Sequence, residues 1–484
     1  MSRLRIHPEL KGTARIHLVL GLALLGIWAA ISIFDVRIGA VVRSVTQNVD
    51  LLFVAIILIG ALFFILGLGV WIALALLGVA IIAMMFFAPR TVGSVMASNV
   101  WGASNSWALA PLPLFIWMGE ILFRTRLSED MFKGLSPWMG WLPGKLMHTN
   151  VIGCGIFAAV SGSSAATAAT IGKITIPELK KRGYDDFMSI GSLAGSGTLG
   201  LLIPPSIIMI VYGVATEESI ARLFLAGFLP GIMLIVLFVG YIAAWALLNP
   251  AKQPKDDLRM GWGQRFRDSA SLIPILILIV GVIGSIYGGI ASPTDAAAVG
   301  VALSLGLSWL SGTLTWKNFK AGLLGATKTS CMIAFILAGA AFLTTAMGFT
   351  HIPEELAAWI AALKLSKFVL IAVLTVFFII LGCFIDGISI VVLTTAVIMP
   401  MVKAAGFDQL WFGIYLVIVV EMAQVTPPVG FNLYVLQGLT GRDMMFVSRA
   451  AFPFFLLMVI AVVLIVIFPE IATILPEVLL DKKK

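Results

Sequence analysis

The sequence predicts an all-α polytopic membrane protein, and three observations carry that prediction. Of 484 residues, 60% are hydrophobic and only 12% charged, against about 25% charged in ordinary soluble chains. Mean hydropathy is +1.07. The apolar residues gather in runs close to the ~20 residues that a membrane helix needs. A membrane barrel would show short alternating segments instead. So little charge cannot coat a water-facing surface, which excludes an ordinary soluble enzyme, a nucleic-acid binder and a disordered chain. The net charge of +8 is assigned to loops that orient the chain. No basic patch is interleaved with aromatics, so no nucleic-acid partner is expected. Cys154, Cys331 and Cys383 lie singly in apolar stretches and read as packing residues.

Taken in order, residues 1–49 comprise a basic N-terminus and an apolar run at 16–34. The run is longer than a signal core and lacks a clear small-x-small site, so it reads as an uncleaved extra helix. Residues 50–248 form a first half, with runs near 50–68, 70–88, 107–123, 148–176, 187–214 and 221–248. A basic linker, 249–270, carries Lys252, Lys255, Arg259, Arg265 and Arg267. The second half, 271–470, has runs near 271–290, 296–312, 327–348, 367–400, 409–438 and 448–469, and a tail at 471–484 follows.

Four runs are interrupted. Ser161-Gly162-Ser163-Ser164 splits 148–176, and Asp386-Gly387 splits 367–400. Gly195-Ser196-Gly197-Thr198 with Pro204-Pro205 splits 187–214, and Gln424 with Thr426-Pro427-Pro428 splits 409–438. A broken helix frees backbone groups that lipid cannot satisfy, so it persists only where it is buried in protein or lines a wet cavity. The interruptions also repeat. Shifted by 223 residues, Pro177 falls on Pro400, Lys180 on Lys403, Gly183 on Gly406, Asp185 on Asp408, Pro204-Pro205 on Pro427-Pro428 and Pro230 on Pro453. Ser163-Ser164 falls on Asp386-Gly387 without a gap.

Basic residues orient the halves. Arg124, Arg126, Lys133 and Lys145 precede the first interrupted hairpin, and Lys180-Lys181-Arg182 follow it. The corresponding loops of the second half carry only Lys364, Lys367 and Lys403. The positive-inside rule places the first set in the cytoplasm and the second outside. That is an inverted repeat, an architecture of many secondary transporters, whose site lies between the halves. With basic flanks on both sides, 148–176 is expected to be re-entrant, and by the repeat so is 367–400. The segments 187–214 and 409–438 are broken helices.

The candidate chemistry gathers at these interruptions. Ser161, Gly162, Ser163 and Ser164 would offer carbonyls, amides and hydroxyls at a hairpin tip, suited to a hard cation such as Na+ or to substrate; a plain Gly/Ser packing contact is the alternative. Asp386 is ionisable within an apolar segment and would ligate a cation, take a proton or cap the next half-helix. Thr394 and Thr395 follow two turns later. Glu421, Gln424, Thr426 and Asn432 surround Pro427-Pro428, and Glu421 and Gln424 share a helical face; a satisfied structural network is the alternative there. Ser292-Pro293-Thr294-Asp295 reads as a helix cap. Glu120 and Arg124 read as a structural i,i+4 pair, and His148 as a hydrogen-bonded residue at the membrane interface. The chain has no GxxxxGK[ST], so it carries no ATPase of its own, and it has no HExxH or CxxC; it is read as a secondary transporter, not an enzyme, and no cofactor is expected.

Seven stretches together carry a family resemblance: PLPLFIWMGE at 111–120, SGSSAATAATIG at 161–172, PELKKRGYD at 177–185, GSGTLGLLIPPS at 195–206, LAGFLPG at 225–231, SPTDAAAVG at 292–300 and EMAQVTPPVGFNLYV at 421–435. From about 50 to 470 the chain resembles the large membrane subunit of tripartite ATP-independent periplasmic transporters, and the 16–34 run lies outside that match. The resemblance implies import of an organic anion, usually a carboxylate, with Na+ as coupling ion. It implies a periplasmic binding protein that delivers substrate, a small four-helix membrane subunit and an elevator mechanism in the bacterial inner membrane. It implies that Ser161–Ser164, Gly195–Thr198, Asp386-Gly387 and Thr426–Pro428 line the Na+ and substrate sites. Na+ is expected near Ser161, Gly162, Ser163, Gly197, Asp386, Gly387 and Thr426, and substrate or ion contacts extend to Ser164, Ser196, Pro204, Glu421, Gln424 and Asn432. Stretches near 127–140 and 353–364 resemble membrane-surface arm helices. Two alternatives stand beside this reading. One is a stand-alone anion–cation symporter, and the other an intramembrane enzyme pairing Asp386 with Glu421.

Overall fold

The computed structural model describes residues 51–88, 91–254, 261–363, 365–428 and 430–480. The extra helix expected at 16–34 lies outside the described residues. In chain order the helices are α1 (Leu51–Gly67), α2 (Ile72–Phe87), α3 (Val92–Ser104), α4 (Pro111–Phe123), α5 (Leu127–Met139), α6 (His148–Ser161), α7 (Ser164–Lys181) and α8 (Asp186–Gly197), which Leu199–Leu202 prolongs. Then come α9 (Ile207–Thr216), α10 (Ile220–Leu248), α11 (Trp262–Tyr287), α12 (Pro293–Leu310), α13 (Trp316–Thr350) and α14 (Ile352–Ala362). The chain continues through α15 (Lys367–Gly382), α16 (Gly387–Ala404), α17 (Gln409–Gln424), α18 (Phe431–Thr440), α19 (Met444–Ile467) and α20 (Glu470–Leu479). No strand occurs among the described residues. Five helices there are long and apolar enough to cross a membrane, or up to eight when bent pairs count as one span each. The chain is a multi-pass helical membrane protein.

Short polar side chains set the helix starts. Asp185 Oδ1 accepts from Met188 N (2.9 Å) and Asp408 Oδ1 from Trp411 N (2.8 Å), capping α8 and α17. Ser163 caps α7, and Asp386 Oδ2 accepts from Ser389 N (3.2 Å) at the start of α16. Ser292 and Asp295 form a reciprocal capping box on α12, as their spacing predicted. The turns after α7 and α16 close alike. Gly183 N donates to Lys180 O and Tyr184 N to Leu179 O, while Gly406 N donates to Lys403 O and Phe407 N to Val402 O.

Two boundaries differ from the sequence expectation. Helix α11 begins at Trp262, inside the stretch read as linker, because Trp262 and Phe266 pack edge-on against Trp138 while Arg265 and Arg267 stand on the same turns. A count of apolar residues misses such a start. The stretch read as a tail contains α20, which buries Ala472 and Pro476 and packs on α10.

The described chain divides into two compact units. The first unit holds α1 to α3, residues 335–362 and residues 396–401. In it Gly339 lies against Ala73, and Thr345 Oγ1 donates to Asn99 Oδ1 (2.7 Å). The second unit, 106–334 with 363–395 and 402–484, holds both tips of the interrupted segments. Its centre is made by α8 and α17, buried along nearly their whole length. A helix apolar all round is a core helix, and these two are walled by α6, α7, α10, α15 and α19. On its rim, α5 buries Met131, Leu135 and Met139 and leaves Glu129 and Lys133 exposed, an amphipathic face.

Candidate functional site

The first tip begins where α6 ends. Gly162 takes a left-handed conformation (φ +61°), which turns the chain at no steric cost. Ser163 is extended, and its side chain accepts from Ala166 N (3.4 Å) as α7 starts. Ser161 Oγ pairs with Thr167 Oγ1 (2.7 Å). The tip is fastened to the break between α8 and α9: Ile207 N donates to Gly162 O (3.3 Å), and a methyl on Gly162 would lie 2.9 Å from Pro205 O. The break therefore spans Ile203–Ser206, with Pro204 buried and the Pro204-Pro205 bond cis.

At the Gly195–Thr198 cluster the helix breaks by a single residue: α8 ends at Gly197, Thr198 makes a turn with Thr198 N donating to Gly195 O, and Leu199–Leu202 resumes the helix, with Ser196 Oγ donating to Ser192 O and Thr198 Oγ1 to Gly195 O (both 2.6 Å). Its glycines are contact surfaces: a methyl on Gly195 would lie 2.5 Å from Phe454 Cβ, and one on Gly197 2.8 Å from Ala168 Cβ. Gly200, inside a quoted motif stretch but not named as a site residue, touches the tip directly, since its methyl would lie 2.5 Å from Ser163 O. Gly119 of α4, likewise inside a quoted stretch and not named as a site residue, faces Ser161 O. Both are single glycines in apolar helices, and the signal for them was their place within the stretches that carry the family resemblance.

The second tip is built from Cys383 to Gly387. Asp386 is exposed and both carboxylate oxygens serve Ser389, one on its N–H and one on its hydroxyl. Thr394 and Thr395 are buried, with hydroxyls bonded back to Ile390 O and Val391 O. This tip leans on the second broken helix, where Cys383 Sγ donates to Pro427 O (3.4 Å) and Gly382 abuts Ala423. Thr426 Oγ1 donates to Met422 O (2.7 Å), and Pro427 is exposed next to a second cis bond, Pro427-Pro428.

One side chain joins the two tips. Gln424 Oε1 accepts from Ser164 Oγ (2.9 Å), at the first residue of α7. Its Nε2 lies 2.9 Å from where a methyl on Gly387, the first residue of α16, would stand, and Ile208 Cδ1 is 3.5 Å from that point. The N-termini of two half-helices thus meet on one amide. Glu421, one turn back on α17, is only 2% exposed. Neither of its oxygens has a hydrogen-bond partner among the described residues, and the same holds for both polar atoms of the buried Asn432. Among the described residues the structure shows no cluster of three or more His, Cys, Asp or Glu able to hold a metal. Asp386 and Glu421 do not hydrogen-bond each other: the first is an exposed cap on Ser389, and the second is a buried carboxyl without a hydrogen-bond partner among the described residues.

Comparison with known proteins agrees with this architecture. The sequence pattern of the family described as "Tripartite ATP-independent periplasmic transporter, DctM component" matches residues 56–471. The chain is 31% identical over 399 residues to a C4-dicarboxylate TRAP transporter large permease protein of Pseudomonas aeruginosa, covering 82% of this chain and 92% of the relative. It is 30% identical over 406 residues to an ectoine/5-hydroxyectoine TRAP transporter large permease protein of Ruegeria pomeroyi, covering 82% and 93%. The crystal structure of the Alcanivorax borkumensis YdaH transporter shares the fold, with a TM-score of 0.56 at 13% identity over 80% of this chain and 90% of that one. A helical multi-pass chain with interrupted segments tipped together around α8 and α17, matched over residues 56–471, belongs to the DctM component family of tripartite ATP-independent periplasmic transporters, and its relatives are transporter permease subunits rather than enzymes.

Proposed function

We propose that the chain is the large permease of a tripartite secondary transporter in a bacterial inner membrane. It imports an organic anion, a carboxylate, together with Na+. A periplasmic binding protein delivers the substrate, and a small four-helix membrane subunit braces the permease. The observation that carries this reading is the meeting of the α7 and α16 N-termini on Gln424. Each N-terminus presents unpaired amides and about half a positive charge, the means by which discontinuous helices hold anionic substrates in transporters. Na+ binds at the tips, near Ser161, Gly162, Ser163 and Gly197 in one half and near Asp386, Gly387 and Thr426 in the other, where breaks leave carbonyl oxygens. The name of the Pseudomonas relative favours C4-dicarboxylates, while that of the Ruegeria relative calls for a wider substrate scan.

Matching local roles 223 positions apart support an inverted repeat. Asp185 and Asp408 both cap the broken helices, Ser163 and Asp386 both cap the second half of an interrupted segment, and Gly183 and Gly406 close equivalent turns. All candidate residues lie in one compact unit, which supports movement of the intact site as an elevator.

The test is uptake into proteoliposomes holding the permease and its small subunit, with the binding protein added outside. Uptake of labelled carboxylates is expected only with the binding protein and an inward Na+ gradient. Equal uptake with choline in place of Na+ would refute the coupling.

A further inference from the structure

Among the described residues, Glu421 is the one buried side chain of the Asp, Glu, Lys and Arg types. Both of its oxygens are sealed from solvent, and by hydrogen-bond geometry neither has a partner among the described residues. Ser164 lies beside the carboxyl, but its hydroxyl is directed to Gln424 Oε1. An ionised carboxylate in such surroundings needs a counter-charge. The N-terminus of α7 supplies about half of one, and no Lys or Arg is buried there to supply the rest.

We propose that Glu421 anchors a cation site of its own for Na+, apart from the carbonyl sites at the tips, with the oxygens of Ser164 and Gln424 as its neutral partners. A hard monovalent cation takes several oxygens, and this group offers two carboxylate oxygens, a hydroxyl beside them and an amide oxygen 2.9 Å from that hydroxyl. The cation then ties the first residue of α7 to α17, so that loading it closes the first tip onto the second broken helix. Emptying it leaves the carboxylate uncompensated. This inference rests on the Na+-coupled reading above.

The test uses the full-length permease with its small subunit in nanodiscs, and reads thermal unfolding in NaCl against choline chloride at fixed ionic strength. Each cation site contributes a separate logarithmic dependence of stability on Na+ concentration. Glu421→Gln is expected to melt higher than wild type in choline, because the stranded charge is gone, and to respond to Na+ with one ion fewer. Glu421→Asp should keep the full number of ions with weaker apparent affinity. Parallel Na+ titrations of wild type and Glu421→Gln would overturn the proposal, including the case in which pH instead separates them, which marks a proton as the occupant. A Glu421→Gln protein that folds in neither salt would overturn it too, since the carboxylate would then be held by protein groups. A wild type that ignores Na+ altogether would overturn the Na+-coupled reading itself.

Discussion

Replacing Gly162 by alanine tests whether the first tip must lie flush against the break at 203–206. At φ +61° a side chain costs about 1–2 kcal/mol. The new methyl would also stand 2.9 Å from Pro205 O and 3.3 Å from Ile207 Cγ1. Pro205 O is backbone in the break and yields little, so the tip moves by a few tenths of an ångström, an overpacking cost of about 1–3 kcal/mol. Gly183→Ala isolates the two effects. Gly183 has φ +79° with nothing within 4 Å of its methyl position, so it carries the conformational cost alone. Both variants should lose stability in thermal unfolding. Only Gly162→Ala should lose uptake in the reconstituted assay, by roughly 5- to 150-fold when the overpacking falls on the transport-competent state. Equal loss of uptake in the two variants, or wild-type uptake by Gly162→Ala, would refute the idea that this contact shapes the site.

Three further outcomes are expected. Gly387→Ala drives a methyl to 2.6 Å from Val420 Cγ1 and 2.9 Å from Gln424 Nε2, and should cut uptake about tenfold or more while the protein still folds; unchanged uptake would separate Gln424 from the site. Gln424→Leu leaves Ser164 Oγ without its acceptor, which should cost about 1–3 kcal/mol in thermal unfolding and raise the substrate concentration for half-maximal uptake. Asp386→Asn keeps a capping oxygen and should leave stability within a few tenths of a kcal/mol, whereas Asp386→Ala should lose about 1 kcal/mol; equal stability of the two would show that Ser389 does not need the cap.

Much of the fold was legible because its signals are local. Gly162 followed by Ser163, Asp386 followed three residues later by Ser389, and paired prolines each act within one turn of chain, so the helix ends they cause follow from the residues beside them. The Gly195–Thr198 cluster was legible only in part. Small residues weaken a helix when taken alone, but here they let Phe454 and Ala168 approach the backbone, and the helix resumes after the single turn residue Thr198. The start of α11 at Trp262 was hidden likewise, since Trp138, which holds it, is remote in sequence.

The sequence by itself determined the membrane class, the two families of interruption, their spacing of 223 residues and the cap at Ser292. Hydrophobic run length and backbone chemistry suffice for those, because each depends on neighbours in the chain. Only the tertiary structure decided that Gln424 bonds Ser164 across 260 residues, that Gly200 lies against Ser163, and that Glu421 is buried without a hydrogen-bond partner among the described residues. Those facts follow from which helices close-pack in the core of the unit, where an oxygen finds its donor, or fails to, only after distant segments are brought together.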